Sequence, residues 1–481
     1  MRYLNDLFDL KGYKKIITVS LVFISAFVKG QNMTSLDSAL NIFLEDKILS
    51  DAHVGIQLYD LEKNSSLINY NAQKLFVPAS ILKLFTSAIS LEILKKEFTF
   101  KTNVMFSGEL EITSGTLNGN VYIFPSGDPS LQSSYFSDYN FIEDFAISLK
   151  QKGIKKVLGS LHIVDSASRY CANGNWLWSD IGNYYGAGTS LVSFRDNSID
   201  VFFNSSDSVG GPTIISKISP ENEDVTVLNK VIVGPSNRDM AYGYGSPYNA
   251  KRTIKGEIPR SKKDFKVKIS MHDPSNYIRK EVEQLIYFEN QSDAFNDNLD
   301  TLMVYTSPTL LNLLKKVNFN SNNHFTEHIL LKTMLTLDSS LSYDLVSNFN
   351  KNYWTNQLQL KSDFNIVDAC GLSRKNLISP EIMNKLLIYA YYNSEIKSSF
   401  QSTLPISGIS GTLKYLGKDT SIENNFIGKS GSMDGIRCYS GYFVKRDKFF
   451  PFSVMLNNFS CTSKQAKDAI TKLMVGIYDN L

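Results

Sequence analysis

The chain has 481 residues, 43% of them apolar, with 50 Lys and Arg against 47 Asp and Glu, a formal charge of +3. That length fits about two to four domains, and the apolar fraction is that of a folded globular chain, not a disordered one. The near-balance of charge gives no electrostatic footprint for a nucleic-acid partner or a polybasic membrane anchor.

Residues 1–30 read as a secretory signal. Lys11, Lys14 and Lys15 precede the apolar run Ile16 to Val28, and Val28-Lys29-Gly30 offers small residues at the cleavage spacing. Thirteen residues, with Thr18, Ser20 and Ser25 among them, fall short of the roughly 20 that a spanning helix needs. Cleavage after Gly30 removes the whole formal charge and leaves a neutral mature chain with no transmembrane segment. Such a chain is expected to be exported, to a periplasm or another extracytoplasmic compartment. No cysteine near the end of the signal can accept a lipid. The four cysteines, Cys171, Cys370, Cys438 and Cys461, are too few and too scattered for a disulfide scaffold or a Cys-x-x-Cys metal site, and are read as unpaired.

From Thr34 the spacing of Leu36, Leu40, Phe43 and Leu44 predicts an amphipathic helix. His53 to Tyr59 and Ser66 to Tyr70 alternate as a hairpin around Glu62-Lys63-Asn64. Pro78 then biases Val77 away from helix, so a helix is expected to begin at Ala79 or Ser80. Apolar residues from Ile81 to Ile93 run nearly all round it, which suits a helix buried through a domain. Within it Lys83 has no adjacent carboxylate, and it shares a helical face with Ser80. An apolar environment disfavours the ammonium form, so Lys83 can take a hydroxyl proton. Ser80, in the first turn, meets free backbone N–H groups. One turn can therefore supply nucleophile, base and part of an oxyanion hole, although Ser-x-x-Lys alone is common by chance.

Residues 97–295 are rich in short strands and turn signals such as Asn118-Gly119, Gly127-Asp128-Pro129 and Gly210-Gly211-Pro212. A helix is predicted over Tyr139 to Gln151 and a strand over Lys155 to Val164. This stretch reads as a β-rich insertion, open to a nested subdomain over 189–266, between two halves of one domain, 31–96 and 296–481. At the far end Gly435 to Val444 and Phe449 to Leu456 form a hairpin, followed by a closing helix carrying Ala466, Ile470, Leu473, Met474 and Ile477. The fold class is α+β: an antiparallel sheet completed by both chain ends, with flanking helices and a helical subdomain.

Helical periodicity also covers Pro308 to Val317 and His324 to Met334. The connection between them holds Ser321 and Asn323, a hydroxyl that can relay a proton and an amide that can hold a carbonyl. Later, Gly428-Lys429-Ser430-Gly431-Ser432 sets a cation, hydroxyls and a glycine beside a strand, which suits a carboxylate-bearing peptide. Either stretch alone is better read as an ordinary turn.

Ser80-Ile81-Leu82-Lys83, Ser321-Asn322-Asn323 and Lys429-Ser430-Gly431, in that order, match the signature of penicillin-binding proteins and serine β-lactamases. Further stretches are Gly127-Asp128-Pro129-Ser130-Leu131, Gly182-Asn183-Tyr184-Tyr185-Gly186-Ala187-Gly188, Asp368-Ala369-Cys370-Gly371-Leu372-Ser373-Arg374, and Leu404-Pro405-Ile406-Ser407-Gly408 with Gly411-Thr412-Leu413. With them, nearly the whole mature chain resembles the low-molecular-mass class C penicillin-binding proteins, the D-alanyl-D-alanine carboxypeptidase/endopeptidases. The resemblance implies a penicillin-binding/serine β-lactamase-like transpeptidase domain carrying a large insertion. It implies Ser80 as acylated nucleophile, Lys83 as general base, Ser321 as proton relay and Asn323 as holder of the substrate amide. Lys429 and Ser430, with Gly431 and Ser432 beside them just before the hairpin strand, would receive a terminal carboxylate, and the N–H groups of Ser80 and Ser432 would form the oxyanion hole. Peptidoglycan stem peptides and β-lactams are the implied partners, with no cofactor or metal; oligomeric state is not legible.

Two departures stand out: Ser430 replaces the commoner threonine, and Cys370 stands where the family usually has serine. A rival motif, His324-Phe325-Thr326-Glu327-His328, fits a zinc-peptidase pattern with three fixed positions and no assigned third ligand. The same three motifs would also suit a β-lactamase, or a penicillin- or peptidoglycan-binding protein that does not turn over.

Overall fold

The computed structural model describes residues 35–164, 171–289, 298–340 and 342–481. The expected signal over 1–30 and the expected helix start at Thr34 lie outside them, as does the expected domain boundary at 295/296. Both chain ends meet in a five-stranded antiparallel sheet, in the spatial order Phe426–Met433, Ile436–Lys445, Lys448–Asn457, His53–Asp60, Ser65–Tyr70. Arg446 and Asp447 both adopt positive φ between the second and third of these strands, the backbone that a two-residue hairpin turn requires.

Alternation along the strands divides two cores. Tyr439, Phe443, Phe452 and Val454 pack with the helices Ser35–Leu44 and Ser463–Asp479 on one face. Cys438, Tyr442 and Met455 join a helical layer on the other. Every residue from Phe450 to Asn457 is buried, as a strand covered on both faces must be. The closing helix starts from a reciprocal cap, with Gln465 N donating to Thr462 Oγ1 and Thr462 N to Gln465 Oε1.

The helical layer surrounds Lys83–Ile93, which is buried from Lys83 to Leu91, as an all-round apolar helix should be. Its entry differs from the expectation. Ala79–Leu82 forms a 3-10 turn and the α-helix begins only at Lys83. Ala79 has a φ of 48°, unfavourable for a residue with a Cβ, so the chain reaches helical geometry through a tighter turn. Ser80 thus sits on that turn, one residue past the strained position.

In the β-rich stretch, Lys101–Phe106 pairs with Val121–Phe124 and also with Asp300–Thr306, so its sheet extends past residue 295. The helix expected over 139–151 runs Phe141–Lys152, capped by the Asn140 side chain and ended by Gly153 in the left-handed region. Lys155–Val164 is not one strand. It breaks into Lys156–Val157 and Leu161–Ile163 in different sheets, because Gly159 crosses so close to Gly119 that a Cβ would lie 2.3 Å from its carbonyl oxygen. Two three-stranded sheets follow, Thr213–Ser219, Ser198–Ser205, Phe265–Ser270 and Thr226–Val233, Lys251–Ile258, Met240–Tyr244. The strand Phe265–Ser270 runs past residue 266, the expected end of the nested stretch. Among the described residues no helix is long and apolar enough to cross a membrane, and the four cysteines are free.

Trp354 is the largest fully buried side chain, with ring edges against Phe85 (5.0 Å) and Tyr389 (6.2 Å). Trp354→Ala is expected to cost about 3–5 kcal/mol, read as a lowered denaturation midpoint. A loss under about 1 kcal/mol would show that the helical layer does not lean on this ring.

Candidate active site

The approach to Ser80 is fixed before the residue itself. Asn457, at the end of a sheet strand, accepts from Val77 N (2.8 Å) and donates Nδ2–H to Val77 O (3.2 Å). Two glycines then let other backbones close in. A Cβ on Gly431 would lie 2.6 Å from Pro78 O and 3.0 Å from Ser80 N. A Cβ on Gly371, whose φ is +83°, would lie 2.0 Å from Ala79 O. The edge strand Phe426–Met433 and the loop at 370–371 thus both abut the turn carrying Ser80.

Lys83 is fully buried, yet its Nζ has three polar neighbours: Ser80 Oγ at 2.9 Å, Asn323 Oδ1 at 2.7 Å and the Cys370 carbonyl at 2.7 Å. The orientation of the Asn323 amide is settled by its other end, since Nδ2 donates to the Tyr185 carbonyl at 2.9 Å, which can only accept. Asn323 Oδ1 and Cys370 O are therefore obligatory acceptors, whereas Ser80 Oγ can also donate. A neutral amine has two N–H bonds and one lone pair. Its N–H bonds match the two carbonyl oxygens, and its lone pair is left for the Ser80 hydroxyl. Burial lowers the Lys83 pKa, with electrostatic interaction with Cys370, Glu327 and Asp368 opposing.

The second cation lies across the cleft. Lys429 donates to Ser321 Oγ (3.0 Å) and to the carbonyl of Ser430 (2.8 Å). Burial first, and the charge of Lys83 second, push its pKa well below the ordinary lysine value. Ser321 caps the helix Leu310–Asn320 in the left-handed region, with φ 56°. Asn322 caps the next helix by accepting from Phe325 N, and Asn323 is that helix's first residue. These local conformations turn Ser321 toward Lys429 and Asn323 toward Lys83.

The loop that supplies the Cys370 carbonyl is held from beneath. Glu327 accepts from Ala369 N (3.2 Å), Cys370 N (2.9 Å) and the Tyr343 hydroxyl. Burial first, then Asp368, raises its pKa to about 7. Asp368, raised by burial, accepts from Gly371 N, Ser373 N, Trp176 Nε1 and Asn376 Nδ2 at 2.7–2.9 Å. Glu327, Asp368 and Cys370 lie together, but both carboxylates are engaged by N–H and O–H donors. The rival zinc motif is only half assembled: the His324 and His328 rings lie 4.2 Å apart, but Glu327 does not join them. Glu327 turns to the 369–370 amides, His328 donates Nδ1–H to the His324 carbonyl, and His324 Nε2 lies 2.8 Å from Ser193 Oγ.

The structure thus gathers Ser80, Lys83, Asn323, Ser321 and Lys429, with Gly431 as the close-approach residue. Lys429-Ser430-Gly431 is not a turn before a strand; it lies within an edge strand, paired to Ser440, Tyr439 and Cys438. Strand alternation places Lys429 and Gly431 toward the helical layer and the side chains of Ser430 and Ser432 the other way. Neither of those two hydroxyls bonds to the other site residues. The carbonyls of Tyr185 and Cys370 escape sequence reading, because any residue type supplies one. Asp368 and Glu327 stand inside stretches already quoted, but with no role assigned to Asp368 and only the rival zinc role to Glu327, and Trp176 lies just before one of them.

Residues 36–481 match the model of the D-Ala-D-Ala carboxypeptidase 3 (S13) family. The D-alanyl-D-alanine carboxypeptidase DacB of Haemophilus influenzae is 25% identical over 464 residues, covering 90% of this chain and 92% of that protein. The crystal structure of penicillin binding protein 4 (dacB) from Haemophilus influenzae superposes with a TM-score of 0.76 at 21% identity, over 92% of this chain and 98% of that one. The same protein complexed with a β-lactam gives 0.73 at 21% identity, over 93% and 99%. These solved structures share the α+β fold, and with a family match spanning both halves of the sheet and the β-rich stretch between them, the chain belongs to the D-Ala-D-Ala carboxypeptidase 3 (S13) family.

Proposed function

We propose that this protein hydrolyses the D-Ala-D-Ala terminus of peptidoglycan stem peptides, or their D-alanyl cross-links, through an ester on Ser80. As a member of its family it is a serine-type carboxypeptidase, a hydrolase. The observation that carries the residue assignment is the 2.9 Å contact of Lys83 Nζ with Ser80 Oγ, two acceptors taking the remaining bonds of the amine.

Phe426 and Gly428 on the outer edge of the strand Phe426–Met433 already pair with Ser407 and Pro405, so a peptide can pair with the backbone beyond them, toward Ser430 and Ser432, as extended peptides do at sheet edges. The peptide's terminal carboxylate meets Lys429, whose burial makes an anionic partner favourable. Ser80 Oγ attacks the carbonyl carbon of the penultimate D-alanine while its proton passes to Lys83. The oxyanion is stabilised by the N–H groups of Ser80 and Ser432, with Asn323 holding the substrate amide. Ser321, hydrogen-bonded to Lys429, hands its hydroxyl proton to the departing amine and regains one from the Lys83 ammonium, which is left neutral again. Water then attacks the ester, Lys83 again taking the proton, and Ser80 is regenerated. β-Lactams are read as acylating the same Ser80; the Haemophilus influenzae penicillin binding protein 4 has been crystallised in complex with one. Such chemistry belongs in an extracytoplasmic compartment, the periplasm in our reading.

Two measurements test these assignments. Disaccharide pentapeptide and cross-linked dimers should release D-alanine, monomers or both; release of neither would remove the assignment. A benzylpenicillin pulse should leave an adduct on Ser80, seen by intact-protein mass spectrometry and absent in Ser80→Ala. That adduct should persist for minutes, because the tethered leaving group obstructs water and Glu327 and Asp368 are committed to amides. Catalytic consumption of penicillin would instead indicate a β-lactamase.

A further test is pH. A lowered lysine pKa populates the neutral base at lower pH, so acylation should rise with pH through a value below 10.5 and plateau above it. Lys83→Arg should lose about 10²–10⁴-fold in acylation rate, since guanidinium stays protonated. A wild-type rate in that variant would take the base role from Lys83.

A further inference from the structure

Away from the cleft, one face of the inserted unit is built like a ligand groove. The sheet Thr226–Val233, Lys251–Ile258 and Met240–Tyr244 buries Val231, Val233, Ile254, Ile258 and Ala241 on one side. The opposite side and the adjoining helix Trp178–Ile181 enclose a groove of about 710 Å³. Trp178, 63% exposed, leans on Tyr244 with ring centroids 5.0 Å apart, and Leu228, 53% exposed, lies on the floor. Lys230, Lys251 and Lys255 point to the same side, and none forms a salt bridge with a described residue. No acid lines the groove; the one acid of that sheet face, Glu257, lies beyond Lys255. Aromatic walls with unpaired cations are an uncommon surface to leave open without a partner.

We propose that this groove is a second, non-catalytic site for the polymer, holding a glycan strand of peptidoglycan with its acidic stem peptides. The proposal rests on the peptidoglycan reading above. N-acetylated sugars present flat C–H faces that stack on Trp and Tyr rings, and the free carboxylates of the stem peptides complement the three lysines. The concave shape suits a chain lying along it; a planar anionic bilayer would be met by a protrusion. The groove is also close to the chemistry. Trp178 forms its wall, and seven residues on, Tyr185 holds Asn323 through its carbonyl. That length of chain spans at most about 25 Å, so adjacent strands of one polymer can occupy both sites.

The test uses the full chain as wild type, as Trp178→Ala, as a triple Lys230→Ser, Lys251→Ser, Lys255→Ser variant, and as a control triple Lys217→Ser, Lys262→Ser, Lys263→Ser on a different sheet and loop. Each is sedimented with purified insoluble peptidoglycan, and assayed with soluble disaccharide pentapeptide and for penicillin acylation. The groove variants should lose about tenfold or more in affinity for the insoluble polymer, with soluble turnover and acylation within about twofold of wild type. Unchanged polymer binding in the groove variants overturns the proposal, as does an equal loss in the control. Groove-dependent binding to phosphatidylglycerol vesicles with no effect on polymer binding overturns it in favour of a membrane. Failure of the wild type to turn over soluble peptide or to be acylated is separate: it removes the peptidoglycan reading itself.

Discussion

A lysine buried without a carboxylate in contact is the constraint on which the rest of this site depends. Desolvation disfavours the Lys83 ammonium, and an unpartnered amine there would cost several kcal/mol. The fold meets this with polar neighbours instead of a contacting anion: two carbonyl oxygens and one hydroxyl. A carboxylate in direct contact would hold the proton on the amine. Glu327 and Asp368 are close enough to oppose the lowering of its pKa, but their oxygens are taken up by backbone and side-chain donors. The arrangement leaves Lys83 buried, satisfied and basic.

That geometry is made by close approach. Gly431 and Gly371 allow an edge strand and a loop to touch the turn at Pro78–Ser80, and Asn457 ties Val77 to the end of the sheet. The same contacts explain the positive φ of Ala79, since backbone crowds it from both sides. Backbone strain of this kind persists only where the surroundings over-determine it. The departure at Cys370 also becomes intelligible. Its contribution to Lys83 is a backbone carbonyl, which is the same for serine or cysteine, while its thiol is buried beside Glu327.

The insertion is part of the site as well as its wall. Residues 173–193 reach back to the catalytic layer through Asn173 Nδ2 to Val367 O, Trp176 Nε1 to Asp368, the Tyr185 carbonyl to Asn323, and Ser193 to His324. Burial lowers the pKa of both histidines, His328 to about 4 and His324 well below the ordinary value, so both stay neutral at ordinary pH and the Ser193 link carries no charge. The β-rich stretch therefore orients the amide that orients the lysine. The β-rich stretch and the layer that holds Lys83 are thus tied together through one short segment.

Much of this is legible from residues alone. Turn chemistry and period-2 alternation predict the terminal hairpins, an all-round apolar run predicts the buried Lys83 helix, and three spaced motifs place Ser80, Lys83, Ser321, Asn323 and Lys429 in one site. What the sequence leaves open has a common cause. Backbone groups carry no residue-specific signal, so the carbonyls of Tyr185 and Cys370 are invisible in it. Short segments such as Lys155–Val164 and Lys429–Ser432 read locally as one strand and as a turn and fold otherwise, because local propensity yields to packing against a neighbouring chain. Side-chain direction within the edge strand, which separates Lys429 from Ser430, depends on pairing with Ser440 and Tyr439. So does the tight approach that makes Gly431 indispensable beside Ser80. Sequence determined which groups this protein brings to the reaction; only the tertiary structure decided which of them touch, since contact is fixed by segments hundreds of residues apart meeting in one core.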